Sequence, residues 1–160
     1  FFGCSMSQLL AGTDLLTKDG GKVDPTVLSG KRVLLFFASV WCPDCRPVTQ
    51  QLAQLYAEVN KENKELEVVF VSSDNTEAAA RAYMLDKHGD WLMIPYDSPL
   101  RQGLKQKYGV FAGKEQSTFP DVDHKGGIPG LVLIGADGTV LNLNTDISGG
   151  PAAVLQWPSA

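Results

Sequence analysis

The stretch Val33-Leu34-Leu35-Phe36-Phe37-Ala38-Ser39-Val40-Trp41-Cys42-Pro43-Asp44-Cys45-Arg46 decides the fold. Its first six residues are apolar without alternation, which predicts a strand buried on both faces, as in a parallel sheet covered by helices. Two thiols two residues apart then stand at the end of that strand. A helix opening at Pro43 would turn its unpaired N–H groups and positive dipole end toward the Cys42 sulfur and favour the thiolate, the reactive form. Cys42 is therefore the expected nucleophile. Cys45, one turn into the helix, is more shielded and close enough to displace a substrate from a mixed disulfide on Cys42, which makes it the expected resolving thiol. A zinc half-site is the competing reading, but Cys4, His88 and His124 stand at no ligand spacing, so no metal is expected. A purely structural bridge closing so short a loop would remove little unfolded-state entropy.

The 160 residues, 44% hydrophobic and 20% charged, suit one globular domain with its own core. Three cysteines, two of them in one motif, do not make a secreted disulfide framework; a reducing compartment is expected, the cytoplasm first, with nucleus or mitochondrion as the alternatives. A net charge of −4 with interspersed Lys and Glu gives no basic stripe, so no nucleic acid is expected as a partner. No phosphate-binding or dinucleotide fingerprint is present, and no cofactor is expected. Val33 to Val40, the longest apolar run, is too short to cross a bilayer, and no membrane partner is expected. The opening Phe1-Phe2-Gly3-Cys4-Ser5 lacks the length and pattern of an intact signal peptide.

Along the chain, Leu15-Leu16-Thr17 and Lys22-Val23 read as a short hairpin turning on Gly20 and Gly21. Val48, Leu52, Leu55, Tyr56 and Val59 recur at helical spacing and predict an amphipathic helix to about Asn63. Pro47 should bend its first turn by removing a donor. Leu66 to Ser72 is a second buried strand. Asp74-Asn75-Thr76-Glu77 carries the residues of a capping box opening a helix whose core face is Ala80, Tyr83 and Met84. Ser98-Pro99 supplies a cap and a first-turn proline for a helix to Tyr108, and His88 reads as a helix C-terminal residue, favourable there when protonated. Leu131 to Gly135, the turn Ala136-Asp137-Gly138, and Thr139 to Leu143 predict a final hairpin. Strand, helix, strand, helix, short helix, strand, strand is the order of an α/β layer of helices around a mixed sheet.

With these elements laid out, the chain resembles the tryparedoxin and nucleoredoxin branch of the thioredoxin superfamily over nearly its whole length. The motifs are Leu35-Phe36-Phe37-Ala38-Ser39 before Trp41-Cys42-Pro43-Asp44-Cys45-Arg46, Glu67-Val68-Val69-Phe70-Val71-Ser72-Ser73-Asp74, Trp91-Leu92-Met93-Ile94-Pro95-Tyr96, Tyr108-Gly109-Val110, Gly127-Ile128-Pro129 and Trp157-Pro158. The resemblance implies a thioredoxin-like fold, a mixed central β-sheet flanked by helices on both faces. It divides the chain into an N-terminal extension at 1–14, a thioredoxin-like domain at 15–150 with an insertion at 111–127, and a C-terminal tail at 151–160. It further implies a redox-active Cys42–Cys45 disulfide, with Cys42 attacking and Cys45 resolving. A cis bond at Ile128-Pro129 would face the thiols, where the backbone of Ile128 would pair with an extended substrate. Trp41, at the position of the family's exposed active-site Trp, is expected to shield the thiolate and contact substrate; Pro43, Asp44, Arg46 and Asp74 would support the site.

Several positions depart from the family. Asp44 replaces a second proline, and its charge opposes thiolate formation next door while Arg46 pulls the other way; a reductant rather than a strong oxidant is expected. Phe36 occupies the position where many thioredoxins keep a buried Asp. Asp74 is the nearest alternative, either as a proton relay for Cys45 or as a helix cap, the cap being preferred. Ser73 stands where tryparedoxins carry an aromatic, Asn142 to Ile147 holds no Arg, and Gln50 replaces a proline. Trypanothione is thus the less expected donor, with a thioredoxin-reductase-type donor as the alternative. The insertion, rich in Gly, Lys and Asp, is either a partner-docking lip or a solvated loop. The same two options apply to its Asp121, Asp123 and His124, with the solvated reading preferred for His124.

The expectation is a monomeric thiol–disulfide oxidoreductase reducing protein disulfides, a peroxiredoxin possible among them, and recharged by a dithiol donor. The alternatives are a redox-sensing binding module of nucleoredoxin type, and a disulfide isomerase or oxidase.

Overall fold

The computed structural model describes residues 9, 10 and 12–159; Cys4 and the rest of the opening segment lie outside the described residues. In chain order it forms β1 (Leu15–Leu16), β2 (Lys22–Val23), a 3-10 turn (Pro25–Leu28), β3 (Arg32–Ala38), α1 (Cys45–Val59), β4 (Leu66–Ser72), α2 (Glu77–Lys87), β5 (Leu92–Met93), α3 (Pro99–Tyr108), a second 3-10 turn (Gly113–Thr118), β6 (Gly130–Ile134), β7 (Val140–Asn142) and α4 (Gly150–Val154). The strands make one mixed sheet in the order β2-β1-β5-β4-β3-β6-β7. Its parallel pairs are β3 with β4 and β4 with β5; the other pairs are antiparallel.

The uninterrupted apolar runs of β3 and β4 are central strands covered on both faces. Because side chains alternate along a strand, Leu34, Phe36 and Ala38 enter one core with the inner faces of α1 and α2, both motif cysteines and Val154 of α4. Val33, Leu35 and Phe37 enter the other, with Leu104 and Tyr108 of α3. Burial on one face of α1 at Cys45, Thr49, Leu52, Leu55, Tyr56 and Val59 follows helical spacing. After α4, Trp157 packs on the first core, and Arg32 holds this end through the carbonyls of Trp157 (2.9 Å) and Leu155 (2.7 Å).

The pairing register places the functional end. Parallel β3 and β4 finish together, Ala38 opposite Ser72, so the loops at residues 39–42 and 73–76 meet. Antiparallel β6 begins opposite Phe37 at Gly130, which delivers Ile128-Pro129 to the same edge.

Four local expectations are corrected. Helix α1 starts at Cys45 rather than Pro43 and stops at Val59, where the Asn60 side chain accepts from the N–H groups of Glu65 and Leu66 and turns the chain into β4. Pro47 is its third residue, so its missing N–H falls in the first turn, where helical partners are absent in any case. Asp74 is not the cap of α2: Thr76 is, its hydroxyl accepting from Ala79 N at 3.1 Å, and no capping box forms. His88 does end α2, but not as a cation. It is 3% exposed among Phe36, Phe70, Tyr83 and Trp91, accepts from Trp91 Nε1 at 3.0 Å, and burial pulls its proton affinity down to about 3.

Candidate active site

Tight turn bonds hold the motif: Cys42 N to Ser39 O (3.3 Å), Cys45 N to Cys42 O (3.2 Å) and Arg46 N to Pro43 O (3.3 Å). Cys42 and Cys45 are free thiols, 5% and 0% exposed. Pro43, Asp44 and Arg46 are exposed beside them, and the Asp44 side chain makes no cap bond to α1. The Ile128–Pro129 peptide bond is cis, and the Cys42 thiol donates to Ile128 O at 3.9 Å, within the longer range of a sulfur hydrogen bond. The register thus joins the two sequence signals, thiols and proline, with Cys42 and Ile128 86 residues apart in the chain.

Burial, reinforced by a hydrogen bond to Cys42, pushes the Cys45 thiol far above its ordinary range and keeps its proton in place. Behind it, Thr49 Oγ1 donates to Cys45 O at 2.6 Å and pairs with the Tyr83 hydroxyl, which burial raises to about 12.

The end of β4 is the polar hub. Asp74, 4% exposed, accepts from Val40 N at 2.8 Å and Ser72 Oγ at 2.7 Å; its burial raises its proton affinity even against those bonds. That engagement is why it caps no helix. Trp41 Nε1 donates to Ser73 O at 3.0 Å, Tyr96 Oη to Asp74 O at 2.7 Å, and Arg101 to Ser72 O at 3.0 Å and Tyr96 O at 2.7 Å. Ser73, in the family's aromatic position, donates instead to Glu115 of the 111–127 segment at 2.6 Å.

That segment is built rather than loose. Phe111 and Phe119 are buried, a parallel bridge joins Val110 to Gly126, and His124 stacks on Phe111 and hydrogen-bonds its carbonyl at 2.8 Å. Glu115 also pairs at 2.8 Å with Lys105, whose side chain is wholly buried. Asp121 and Asp123 are exposed. Among the described residues, no group of three or more His, Cys, Asp or Glu is placed to hold a metal ion, and no helix is long and apolar enough to cross a membrane. Lys105, Glu115, Lys114 and Tyr83 are site neighbours that sequence reasoning missed; only the i,i+10 spacing of Lys105 and Glu115 across the Gly109 turn hints at the pair.

Clefts open on two sides of the motif. One of about 460 Å³ lies between α1 and α2 against Val40, Arg46, Gln50 and Lys87; one of about 180 Å³ lies beyond Pro129 against Val110, Lys125 and Asn144.

A mixed sheet whose central strand delivers a Cys-X-X-Cys turn opposite a cis proline defines the thioredoxin class. The chain belongs to the thioredoxin-like family, whose model matches residues 30–140. Within it the chain falls in the tryparedoxin and nucleoredoxin branch. It is 31% identical to probable nucleoredoxin 1 of Arabidopsis thaliana over 84% of its length, but spans only 21% of that protein. A thioredoxin structure from Wuchereria bancrofti is 36% identical, with a TM-score of 0.71 over 91% of this chain and 93% of that one. Native tryparedoxin I from Crithidia fasciculata is 27% identical, with a TM-score of 0.67 over 94% and 90%.

Proposed function

We propose that this chain is a protein-disulfide reductase. One observation carries the reading: Cys42 sits at the rim against Ile128 O, while Cys45 lies behind it with its proton firmly held. The outer sulfur is poised to meet a substrate and the inner one to wait. The Cys42 thiolate attacks one sulfur of the substrate disulfide; the substrate S–S bond breaks and one substrate thiol leaves. In the mixed disulfide, Cys45 gives up its proton and attacks Cys42 Sγ. The second substrate thiol leaves, the Cys42–Cys45 bond forms, and two electrons have passed to the substrate. Asp74, a buried carboxylate with raised proton affinity at the same end of the sheet, is the candidate acceptor for that proton. The Ile128 backbone would pair with an extended substrate segment and Trp41 would flank it. A dithiol donor then restores the thiols, and with Ser73 in the aromatic position a donor other than trypanothione is favoured.

The test is dithiol-driven reduction of a model protein disulfide by wild type, Cys42→Ser and Cys45→Ser. Catalysis should vanish in the first variant, and the second should trap the mixed disulfide. Wild type no faster than free dithiol would sink the enzyme reading. A redox-sensing binding module of nucleoredoxin type would then lead. A potential of the couple near about −270 mV would mark a reductase and near about −180 mV an isomerase.

A further inference from the structure

Lys114 and Trp41 form one unit at the mouth of the site. The Lys114 ammonium lies 3.8 Å from the centroid of the Trp41 indole, the residue next to Cys42, and donates to Asn75 Oδ1 at 3.3 Å. Its position is imposed from below. Its neighbour Glu115 accepts from Lys105 Nζ at 2.8 Å, Ser73 Oγ at 2.6 Å and Ala112 N at 3.0 Å, so the turn carrying Lys114 is tied to the end of β4. The indole beneath is fixed in turn by its bond to Ser73 O. An exposed lysine on a loose loop would lose much of any ionic gain to side-chain ordering. Here a cation–π contact and an anchored backbone have already ordered it.

The charge is also unspent. Among the described residues the ion pairs are Arg32–Glu65, Lys64–Glu67 and Lys105–Glu115, and Lys114 is in none of them. Beside the thiols, exposed Asp44 and Arg46 carry opposite charges, and Lys114, held over the indole next to Cys42, adds a cation there in a chain whose net charge is −4.

We infer that Lys114 is a specificity-determining residue, selecting disulfide-bearing segments that carry a carboxylate side chain next to the half-cystine attacked by Cys42. The inference rests on the reductase reading. The partner it describes is an extended acidic segment, lying over Trp41 with its carboxylate at the Lys114 ammonium.

Two disulfide-linked peptides, identical except for Glu or Lys beside the half-cystine, test it. The readout is the ratio of kcat/KM for the Glu peptide to that for the Lys peptide, taken within each variant so that overall activity cancels. An exposed charge pair is worth a few-fold, so wild type should favour Glu by about fivefold at low ionic strength. Lys114→Ala should bring the ratio near one, Lys114→Glu should invert it, and added salt at about 0.5 M should flatten it in wild type. Anisotropy of labelled peptides with serine at the half-cystine position reads the same ratio without turnover. Selective binding with reduction of neither peptide would sink the reductase reading and leave Lys114 as the selector. Reduction of both peptides at a ratio that Lys114→Glu does not move would overturn the inference alone.

Discussion

Glu115→Ala should destabilise the domain far more than its place in a surface insertion suggests. The Lys105 side chain is wholly buried and that of Glu115 only 15% exposed, at 2.8 Å. Burial pulls the Lys105 ammonium below its ordinary range despite Glu115. Burial likewise pushes Glu115 up, but its bonds from Lys105 and Ser73 outweigh that and hold its carboxyl below the usual range. The pair therefore adds little net stability, while breaking it leaves a charge buried and unpaired. Removing one partner of a buried pair costs about 3–5 kcal/mol, and the slight exposure of Glu115 places this case near about 3 kcal/mol. For a domain of this size that corresponds to a fall in Tm of about 6–12 °C. Urea unfolding with an unchanged slope measures it. The control is the double substitution Lys105→Met with Glu115→Gln, which removes both charges but keeps an acceptor for Ser73 Oγ and Ala112 N, and should recover at least about 1 kcal/mol over Glu115→Ala. A loss below about 1 kcal/mol in Glu115→Ala, the scale of an exposed pair, would refute the reasoning, as would a double variant no better than the single.

His88 should make the domain acid-sensitive in a defined window. With its folded value about 3 against an ordinary 6.5, the neutral ring's stabilisation is complete above pH 6.5 and is lost as pH falls toward 3, roughly 2–3 kcal/mol of it by pH 4.5. His88→Gln keeps an acceptor for Trp91 and should remove that share of the acid slope in urea unfolding at pH 7 and 4.5; equal slopes would refute it. Thr76→Ala should cost about 1 kcal/mol as the loss of an N-cap, measured by thermal unfolding, and a loss under about 0.3 kcal/mol would return the capping role to Asp74. Gly109→Ala should cost more than about 1 kcal/mol in the same assay, because the residue sits at φ 68° and a Cβ would meet Asp123 O at 2.4 Å, so a neutral substitution would refute the tight packing of 111–127 on α3.

The periodic elements were legible in the sequence. Two unbroken apolar runs became the central parallel pair, the spacing from Val48 to Val59 became α1, and Ser98-Pro99 opened α3 where expected. What escaped was of two kinds. Elements such as β5 and α4, two and five residues long, are too short for any period to show, and pairing or packing alone defines them. Asp74 and His88 were read from local sequence, where a polar residue near a helix end is a cap or a dipole partner, and burial overrode both readings. Asp74 bonds backward to Val40 and Ser72 and His88 loses its charge among aromatic rings, while Lys105, sealed under a residue ten positions on, was not singled out by its local sequence.

Without a buried carboxylate at Phe36, the polar groups of the redox end are gathered at the end of β4, from Ser72 to Asp74. The nucleophile's loop reaches that point through Val40 and Trp41, α3 through Arg101, and the 111–127 segment through Glu115. The insertion and Trp41 thus share Ser73, whose hydroxyl donates to Glu115 and whose carbonyl accepts from the indole, with neither thiol between them. Deleting residues 111–127 would strip the partner from buried Lys105 and the acceptor from Ser73 together, so loss of activity in such a deletion could not be assigned to docking. Point substitution at Lys114, which leaves both anchors in place, separates recognition by the insertion from its structural support of the site.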